Sequence, residues 1–236
     1  MAEAYGIEVV VFDILGTMVD EPGGLRAAIR EAVPGADDAS VDDLLAVWRD
    51  HVEREQQRVA EGGRAYANTE VIDREAAHRV ADHARLADPA AIARLATASR
   101  RLKPWEDSVA GLTRLARRFP VVGLSNASRA TLLRLNAYAQ LSWHQALSAE
   151  DAQAYKPAPE VYRLALDAAG CPPELVLMVA AHAWDLRGAQ AAGMRTAYVH
   201  RPVGDPPAGT DTFDWRAGSL DELVTELTPR SPSGGR

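Results

Sequence analysis

Four short apolar runs that alternate with helical patterns restrict the fold of this chain more than any other feature. Each run is continuously apolar rather than alternately apolar and polar, which is typical of strands buried on both faces of a parallel sheet. Strands that alternate with helices form βαβ units. The sequence therefore predicts an α/β fold with a Rossmann-like parallel sheet core flanked by helices. The four runs comprise residues 9–12, 120–124, 175–179 and 196–199.

A long helical stretch interrupts this alternation directly after the first strand. Between residues 21 and 103 apolar residues recur at helical spacing and no strand pattern appears; the last helix is predicted over residues 90–102. We therefore predict a helical cap domain at residues 21–103, inserted into an α/β core domain of residues 1–20 and 104–228. Residues 229–236 are rich in Ser, Pro and Gly and are predicted to be a disordered tail.

Composition and charge exclude several classes of protein. Hydrophobic residues make up 47% and charged residues 25% of the 236 residues, which are the proportions of a soluble globular protein. The formal net charge of -7 argues against nucleic-acid binding, and no apolar run is long enough to cross a membrane. Because the N-terminus also lacks the pattern of a secretory signal, we expect a cytoplasmic protein.

Polar side chains occur just beyond the carboxyl ends of the predicted strands, with one lysine in a connection between strands. Ligands bind beyond these ends in open parallel sheets. Each residue alone could be a helix cap or a solvated surface residue, but together they indicate one active site. Asp13, directly after the first strand, is the candidate nucleophile because a carboxylate can form a covalent ester. The polar residues are Asp13, Ser125, Asn126, Lys156, His182 and Asp185.

The order and spacing of these residues resemble the four motifs of the haloacid dehalogenase superfamily. The resemblance extends from about residue 7 to residue 228, and the helical stretch resembles the cap domain of that superfamily. It implies a hydrolase in which the first-motif aspartate forms a covalent intermediate. The matching motifs are Asp13-x-x-Gly16-Thr17, Ser125-Asn126, Lys156-Pro157 and the late Asp185.

Two positions argue against a magnesium-dependent phosphatase or phosphonate hydrolase, which is the main alternative within this superfamily. Phosphatases that these motifs resemble carry a second aspartate two residues after the nucleophile and an acidic metal ligand near the fourth motif. Here these positions are Leu15 and Ala181, which can neither donate a proton nor bind a metal. Phosphoryl transfer needs its charge neutralised, usually by a metal, so we expect neither metal nor cofactor.

The sequence also resembles type II 2-haloacid dehalogenases in three segments: residues 44–49, 179–185 and 191–197. This resemblance implies a hydrolytic dehalogenase that converts small 2-haloalkanoic acids to 2-hydroxy acids through an ester on Asp13. A halide leaves as a stable anion and needs no proton, which fits the neutral Leu15. A homodimer is one of the assemblies that the resemblance implies, although no self-complementary surface is visible in the sequence.

The resemblance implies a role for each residue around the nucleophile. Asp13 would attack C2 of the substrate, and Lys156 would keep Asp13 ionised because an opposite charge favours the carboxylate. Asp185 would orient Lys156 and help to position water. Thr17 and Ser125 would hold the carboxylate oxygens by hydrogen bonds.

A second group of residues is expected to bind the substrate and the halide. Leu15 would contact the substrate. Arg49, on the predicted cap, would accept the halide, and Asn126 and Trp184 would complete its cradle. Other arginines on the same helix are alternatives to Arg49. Tyr162 matches a family position by spacing, although packing of its helix on the sheet would explain it equally well.

His182 is the main departure from the well-known haloacid dehalogenases, which carry Asn there and Ser at the position of Ala180. A neutral imidazole can accept a proton from water near neutral pH, so His182 is a candidate base. Alternatively, His182 has only a structural role, as a polar residue at the end of the strand. By analogy, a histidine here is associated with relatives that accept small substrates, including fluoroacetate. A non-catalytic member that binds a partner through the cap is a further alternative, but the intact Asp13, Lys156 and Asp185 argue against it.

Overall fold

The computed structural model describes residues 6–228, and within them six strands form one parallel sheet in the order β3-β2-β1-β4-β5-β6. The predicted α/β fold with a parallel sheet is therefore confirmed. The predicted disordered tail at residues 229–236 lies outside the described residues. The strands are β1 (Val9–Asp13), β2 (Val121–Ser125), β3 (Gln145–Ser148), β4 (Val176–Ala180), β5 (Arg195–Val199) and β6 (Trp215–Ala217).

The strand order places a ligand-binding crevice next to β1. The chain runs outwards from β1 through β2 to β3 and then returns to β4 on the other side of β1. In open α/β sheets such a reversal of order opens a crevice at the carboxyl ends of the strands. β1, β2 and β4 are buried along their whole length. This burial accounts for their continuously apolar sequences.

Two edge strands, β3 and β6, were not predicted from the sequence. β3 has two exposed residues and only one buried residue, and β6 alternates buried and exposed positions over three residues. An edge strand needs no continuous apolar run because only part of it faces the core.

Helices cover both faces of the sheet. α5, α6 and α9 pack on one face with residues from β1 and β2 in a single hydrophobic core, and α7 and α8 pack on the other face. The helices after β1 are α1 (Glu21–Ala32), α2 (Asp38–Ala60), α3 (Thr69–Ala84), α4 (Pro89–Leu95), α5 (Ser108–Ala116), α6 (Arg129–Ala139), α7 (Pro159–Ala169), α8 (Ala183–Ala191) and α9 (Leu220–Leu227).

The first four helices lie between β1 and α5 and have a hydrophobic core of their own. One predicted boundary in this segment is wrong. The pattern over residues 90–102 predicted one helix, but α4 ends at Leu95 and a short 3-10 helix follows at Ala98–Arg101. The hydroxyl of Thr97 donates to the carbonyls of Ala93 and Arg94 at 3.2 and 3.1 Å. Such side-chain hydrogen bonds compete with helical ones.

The helical segment leaves the sheet and returns to it at one place. Val19 forms an antiparallel bridge with Pro104, and the Asp20 N–H donates to the Lys103 carbonyl at 2.9 Å. At the start of α3, in the middle of the segment, the hydroxyl of Thr69 accepts a hydrogen bond from the Ser128 N–H at 2.8 Å. These contacts hold the helical segment against the sheet edge where the crevice lies. Within residues 6–228 no helix is long and apolar enough to cross a membrane.

Candidate active site

The carboxylate of Asp13 is held at the end of β1 by two side chains. Its Oδ1 accepts a hydrogen bond from Lys156 Nζ at 3.0 Å, and its Oδ2 accepts one from the Thr17 hydroxyl at 2.6 Å. The Thr17 oxygen in turn accepts from the Ala181 N–H at 2.9 Å. Thr17 therefore connects the loop after β1 with the end of β4, and Asp13 is only 6% exposed.

Lys156 lies between two carboxylates. Its ammonium donates to Asp185 Oδ2 at 2.8 Å as well as to Asp13, and the Tyr162 hydroxyl donates to Asp185 Oδ1 at 2.7 Å. Burial lowers the pKa of Lys156, but the charges of Asp13 and Asp185 outweigh burial and hold this pKa above its usual value. The Lys156 ammonium therefore stays charged between the two carboxyl groups.

Ser125 and Asn126 are both close to this group, but their contacts differ from the expected ones. Ser125 was expected to hold the Asp13 carboxylate; instead its hydroxyl oxygen accepts from the Ala127 N–H at 3.1 Å. The Asn126 side-chain oxygen accepts from the Lys156 backbone N–H at 2.9 Å. Asn126 thereby positions the backbone of Lys156, and its amide nitrogen has no hydrogen-bond partner among residues 6–228.

His182 packs against the loop that follows Asp13. Its Nε2 lies 3.3 Å from the Leu15 carbonyl oxygen, a contact that requires the proton on Nε2 and leaves Nδ1 as the acceptor of a neutral ring. Gly16 has a φ of +78°, and a Cβ there would lie 2.5 Å from His182 Nε2. The imidazole stacks on Trp184 with ring centroids 5.8 Å apart. A glycine is therefore needed where the imidazole meets the loop.

Two side chains that were not predicted from the sequence hold the same loop by hydrogen bonds to its backbone. Trp105 Nε1 donates to the Gly16 carbonyl at 3.0 Å, and Arg201 Nε donates to the Thr17 carbonyl at 2.9 Å. The Arg201 guanidinium also lies over the Trp105 ring and 2.8 Å from an oxygen of Asp107. Because both bonds go to backbone carbonyls, no motif in the sequence could have indicated them.

Arg49 lies on α2 with an exposed side chain, and within residues 6–228 its guanidinium has neither a hydrogen bond nor an ion pair. Arg58, farther along α2, pairs with Glu55 at 3.0 Å instead.

The donor set does not fit a divalent cation. The described residues contain no group of three His, Cys, Asp or Glu side chains that could bind a metal ion. The carboxylates of Asp13 and Asp185 are both bound to the Lys156 ammonium. Leu15 and Ala181, at the positions where phosphatases of the superfamily carry acidic residues, offer no side-chain ligand.

Comparison with known proteins identifies the family. The family model for haloacid dehalogenase-like hydrolases matches residues 7–193. The chain belongs to this family. It is 30% identical to an (S)-2-haloacid dehalogenase of Pseudomonas putida over 203 residues, which are 84% of this chain and 86% of the relative.

Two solved structures extend the similarity. A crystal structure of a defluorinating L-2-haloacid dehalogenase superposes with a TM-score of 0.85 at 28% identity, covering 94% of this chain and 95% of the other. An L-2-haloacid dehalogenase from Xanthobacter autotrophicus, with chloropropionic acid covalently bound, superposes with a TM-score of 0.80 at 26% identity, covering 94% and 98%. The predicted family and its similarity to haloacid dehalogenases are therefore confirmed.

Proposed function

We propose that this protein is a metal-independent hydrolytic dehalogenase that converts small 2-haloalkanoic acids to 2-hydroxy acids through an ester on Asp13. The observation that carries the proposal is the buried Asp13–Lys156–Asp185 group. Beside it, Leu15 and Ala181 provide neither an acid nor a side-chain metal ligand. Leu15 provides no acid for a leaving alkoxide, whereas a halide departs without a proton. The similarity to (S)-2-haloacid dehalogenases supports the same reaction.

In the first step, a carboxylate oxygen of Asp13 attacks C2 of the substrate. The C2–oxygen bond forms as the C2–halogen bond breaks, and the halide leaves with the bonding electron pair. Lys156 and Thr17 orient the carboxylate, and the family resemblance implies inversion at C2. Arg49, Asn126 and Trp184 are proposed to form the cradle that receives the halide.

In the second step, water hydrolyses the ester. The water oxygen attacks the carboxyl carbon of Asp13, and the bond from this carbon to the ester oxygen on C2 breaks. This oxygen takes up the proton that the base has removed from water, and the 2-hydroxy acid leaves. His182 is the proposed base: with Nε2 directed at the Leu15 carbonyl, Nδ1 is available to accept the proton from water. Asp185 is proposed to keep Lys156 in place during both steps.

The helical segment of residues 21–103 is proposed to act as a cap over this site, since it carries Arg49. Fluoroacetate is included among the proposed substrates. Its support is the similarity to a defluorinating relative and the presence of His182 beside the nucleophile loop.

Release of halide from chloro-, bromo- and fluoroacetate is the direct test. The wild-type protein should release halide from at least chloro- and bromoacetate, with or without EDTA, while Asp13→Asn should release none. Loss of activity with EDTA would instead favour a metal-dependent hydrolase. If the wild type released no halide from any 2-halo acid, the proposal would be wrong and a non-catalytic role would gain support.

The ester intermediate has its own test. After a single turnover in heavy-oxygen water, mass spectrometry should find the label in the peptide that contains Asp13 and not in the product. Label in the product alone would show direct attack of water on C2.

A further inference from the structure

The stretch between α2 and α3 contacts the connection that carries Lys156. The hydroxyl of Tyr155, the residue before Lys156, donates to the Ala67 carbonyl at 2.5 Å. The rings of Tyr155 and Tyr66 lie 5.4 Å apart between centroids, and Tyr155 is buried. Burial raises the pKa of Tyr155 above its usual value, so the hydroxyl keeps the proton that it donates. The helical segment is therefore joined to the immediate neighbour of Lys156.

A second hydrogen bond crosses the same boundary without touching Lys156 or its neighbours. The Asn68 side-chain nitrogen donates to Glu150 Oε1 at 3.2 Å, and Glu150 Oε2 accepts from the Arg129 N–H at 2.9 Å. Glu150 lies six residues before Lys156 in the sequence. The Asn68–Glu150 bond can therefore dock the helical segment, but it does not act on the residue next to Lys156.

The backbone around Lys156 is held by three hydrogen bonds. The Lys156 N–H donates to Asn126 Oδ1 at 2.9 Å, and the Tyr155 carbonyl accepts from the Ala158 N–H at 2.9 Å. The third is the bond from the Tyr155 hydroxyl to the Ala67 carbonyl. Of these three bonds, the third reaches the helical segment, and the other two stay within the core domain. The position of the Lys156 backbone therefore depends partly on where the helical segment lies.

The ammonium of Lys156 responds to small shifts of its backbone because it is enclosed. The side chain of Lys156 is 1% exposed, and its ammonium donates to Asp13 Oδ1 at 3.0 Å and to Asp185 Oδ2 at 2.8 Å. Hydrogen bonds weaken steeply outside their preferred distances and angles. A closely packed interior transmits a displacement instead of absorbing it. A shift of the Lys156 backbone therefore weakens the hold of the ammonium on Asp13.

We propose that Tyr155 is a positioning residue, which ties the location of the Lys156 ammonium to the docked position of the helical segment through the bond to Ala67. Its expected effect on turnover rests on the proposed function, because that effect takes Asp13 to be the nucleophile. Loss of the bond should loosen Lys156 and slow the attack by Asp13, whereas binding of the substrate should not change.

The first test observes Lys156 without turnover. The chain contains only two lysines, Lys103 and Lys156, and Lys103 is exposed. NMR of the full-length protein labelled with heavy-nitrogen lysine should therefore show slowly exchanging ammonium protons for Lys156 alone, and Lys103→Arg checks this assignment. Tyr155→Phe removes the hydroxyl and keeps the ring. It should accelerate the exchange of the Lys156 ammonium protons with water by about tenfold.

Glu150→Ala is the matched control, because it removes the Asn68 bond across the same boundary and leaves Tyr155 intact. It should exchange the Lys156 protons at the wild-type rate. Tyr155→Leu is a second variant without the hydroxyl, and circular dichroism checks that each protein is folded. Wild-type exchange in both Tyr155 variants would overturn the inference. Equal acceleration in Tyr155→Phe and Glu150→Ala would also overturn it, and so would the absence of a slowly exchanging Lys156 signal in the wild type.

Halide release distinguishes these outcomes from failure of the proposed function. With chloroacetate, Tyr155→Phe should lower kcat by about tenfold and leave KM within about twofold of the wild-type value. Glu150→Ala should keep the wild-type kcat. If Tyr155→Phe accelerates the exchange but no protein releases halide from any 2-halo acid, the role of Tyr155 stands and the dehalogenase proposal falls. If the wild type releases halide and Tyr155→Phe matches it in kcat and in exchange, only the role of Tyr155 is refuted.

Discussion

Tyr162→Phe isolates one hydrogen bond in the group that holds the Asp13 carboxylate. The Tyr162 hydroxyl is fully buried and donates to Asp185 Oδ1 at 2.7 Å, and it lies 3.1 Å from the Asp185 carbonyl oxygen. The substitution removes the hydroxyl and keeps the ring, so the packing of α7 is preserved. A hydrogen bond to a charged group contributes about 1.5–3 kcal/mol. We expect the free energy of unfolding at neutral pH to fall by about this amount.

The pH dependence of this loss follows from the titration of Asp185. Burial raises the pKa of Asp185, while the Lys156 charge and the Tyr162 hydrogen bond oppose the rise. Tyr162→Phe removes one opposing contribution, so the pKa of Asp185 in the folded protein moves further up. The loss of stability should therefore be largest where Asp185 is ionised and should diminish as the pH falls through that pKa.

Two measurements test this reasoning. Urea unfolding at several pH values gives the stability difference, and the pH profile of halide release should have its acid limb displaced to higher pH. Tyr138→Phe is the control, because Tyr138 is 50% exposed and its hydroxyl has no partner among residues 6–228. If Tyr162→Phe were as stable as Tyr138→Phe at neutral pH, or if the acid limb did not move, the assigned role of this hydrogen bond would be wrong.

Two further substitutions test the loop after Asp13 and the proposed halide contact of Arg49. Gly16→Ala should lower kcat by about 10²-fold, because the new Cβ displaces the imidazole of His182 and disturbs the loop. Gly62→Ala has a similar positive φ but open space around its Cβ, so it should keep full activity in the halide assay; equal losses would show that backbone strain alone is responsible. Arg49→Met should reduce kcat/KM for chloroacetate by about 10²-fold while changing stability by less than about 0.5 kcal/mol. Arg54→Met should change neither, and equal effects of the two would remove the assignment of Arg49.

The strands that could be predicted from the sequence are those whose residues are buried on both faces of the sheet. β1, β2 and β4 are buried on both faces, so their sequences are continuous apolar runs that a reader can recognise. β3 and β6 lie at the two edges of the sheet, where exposed positions interrupt the pattern. β3 and β6 form because each pairs with a neighbouring strand, β2 and β5 respectively. The residues of an edge strand alone do not indicate this pairing.

The same distinction holds at the site. Asp13, Lys156 and Asp185 were predicted to act together from their motif spacing, and the structure brings them into one hydrogen-bonded group. Arg201 and Trp105 were not predicted because they bind backbone carbonyls, which every residue type provides. Their contribution depends on how the chain folds and not on a residue pattern.

The contact between the two ends of the helical segment has a consequence for how such chains can diversify. The Asp20 N–H donates to the Lys103 carbonyl, so the segment departs from and rejoins the sheet at points as near to each other as paired strands. Because its two ends lie side by side, the whole insertion is equivalent to one surface loop between β1 and β2. Added length in such a loop costs little closure entropy. Helices can be lengthened, shortened or exchanged there without moving β1 relative to β2. The Asp13 carboxylate at the end of β1 and the helical segment beside it can therefore change at different rates.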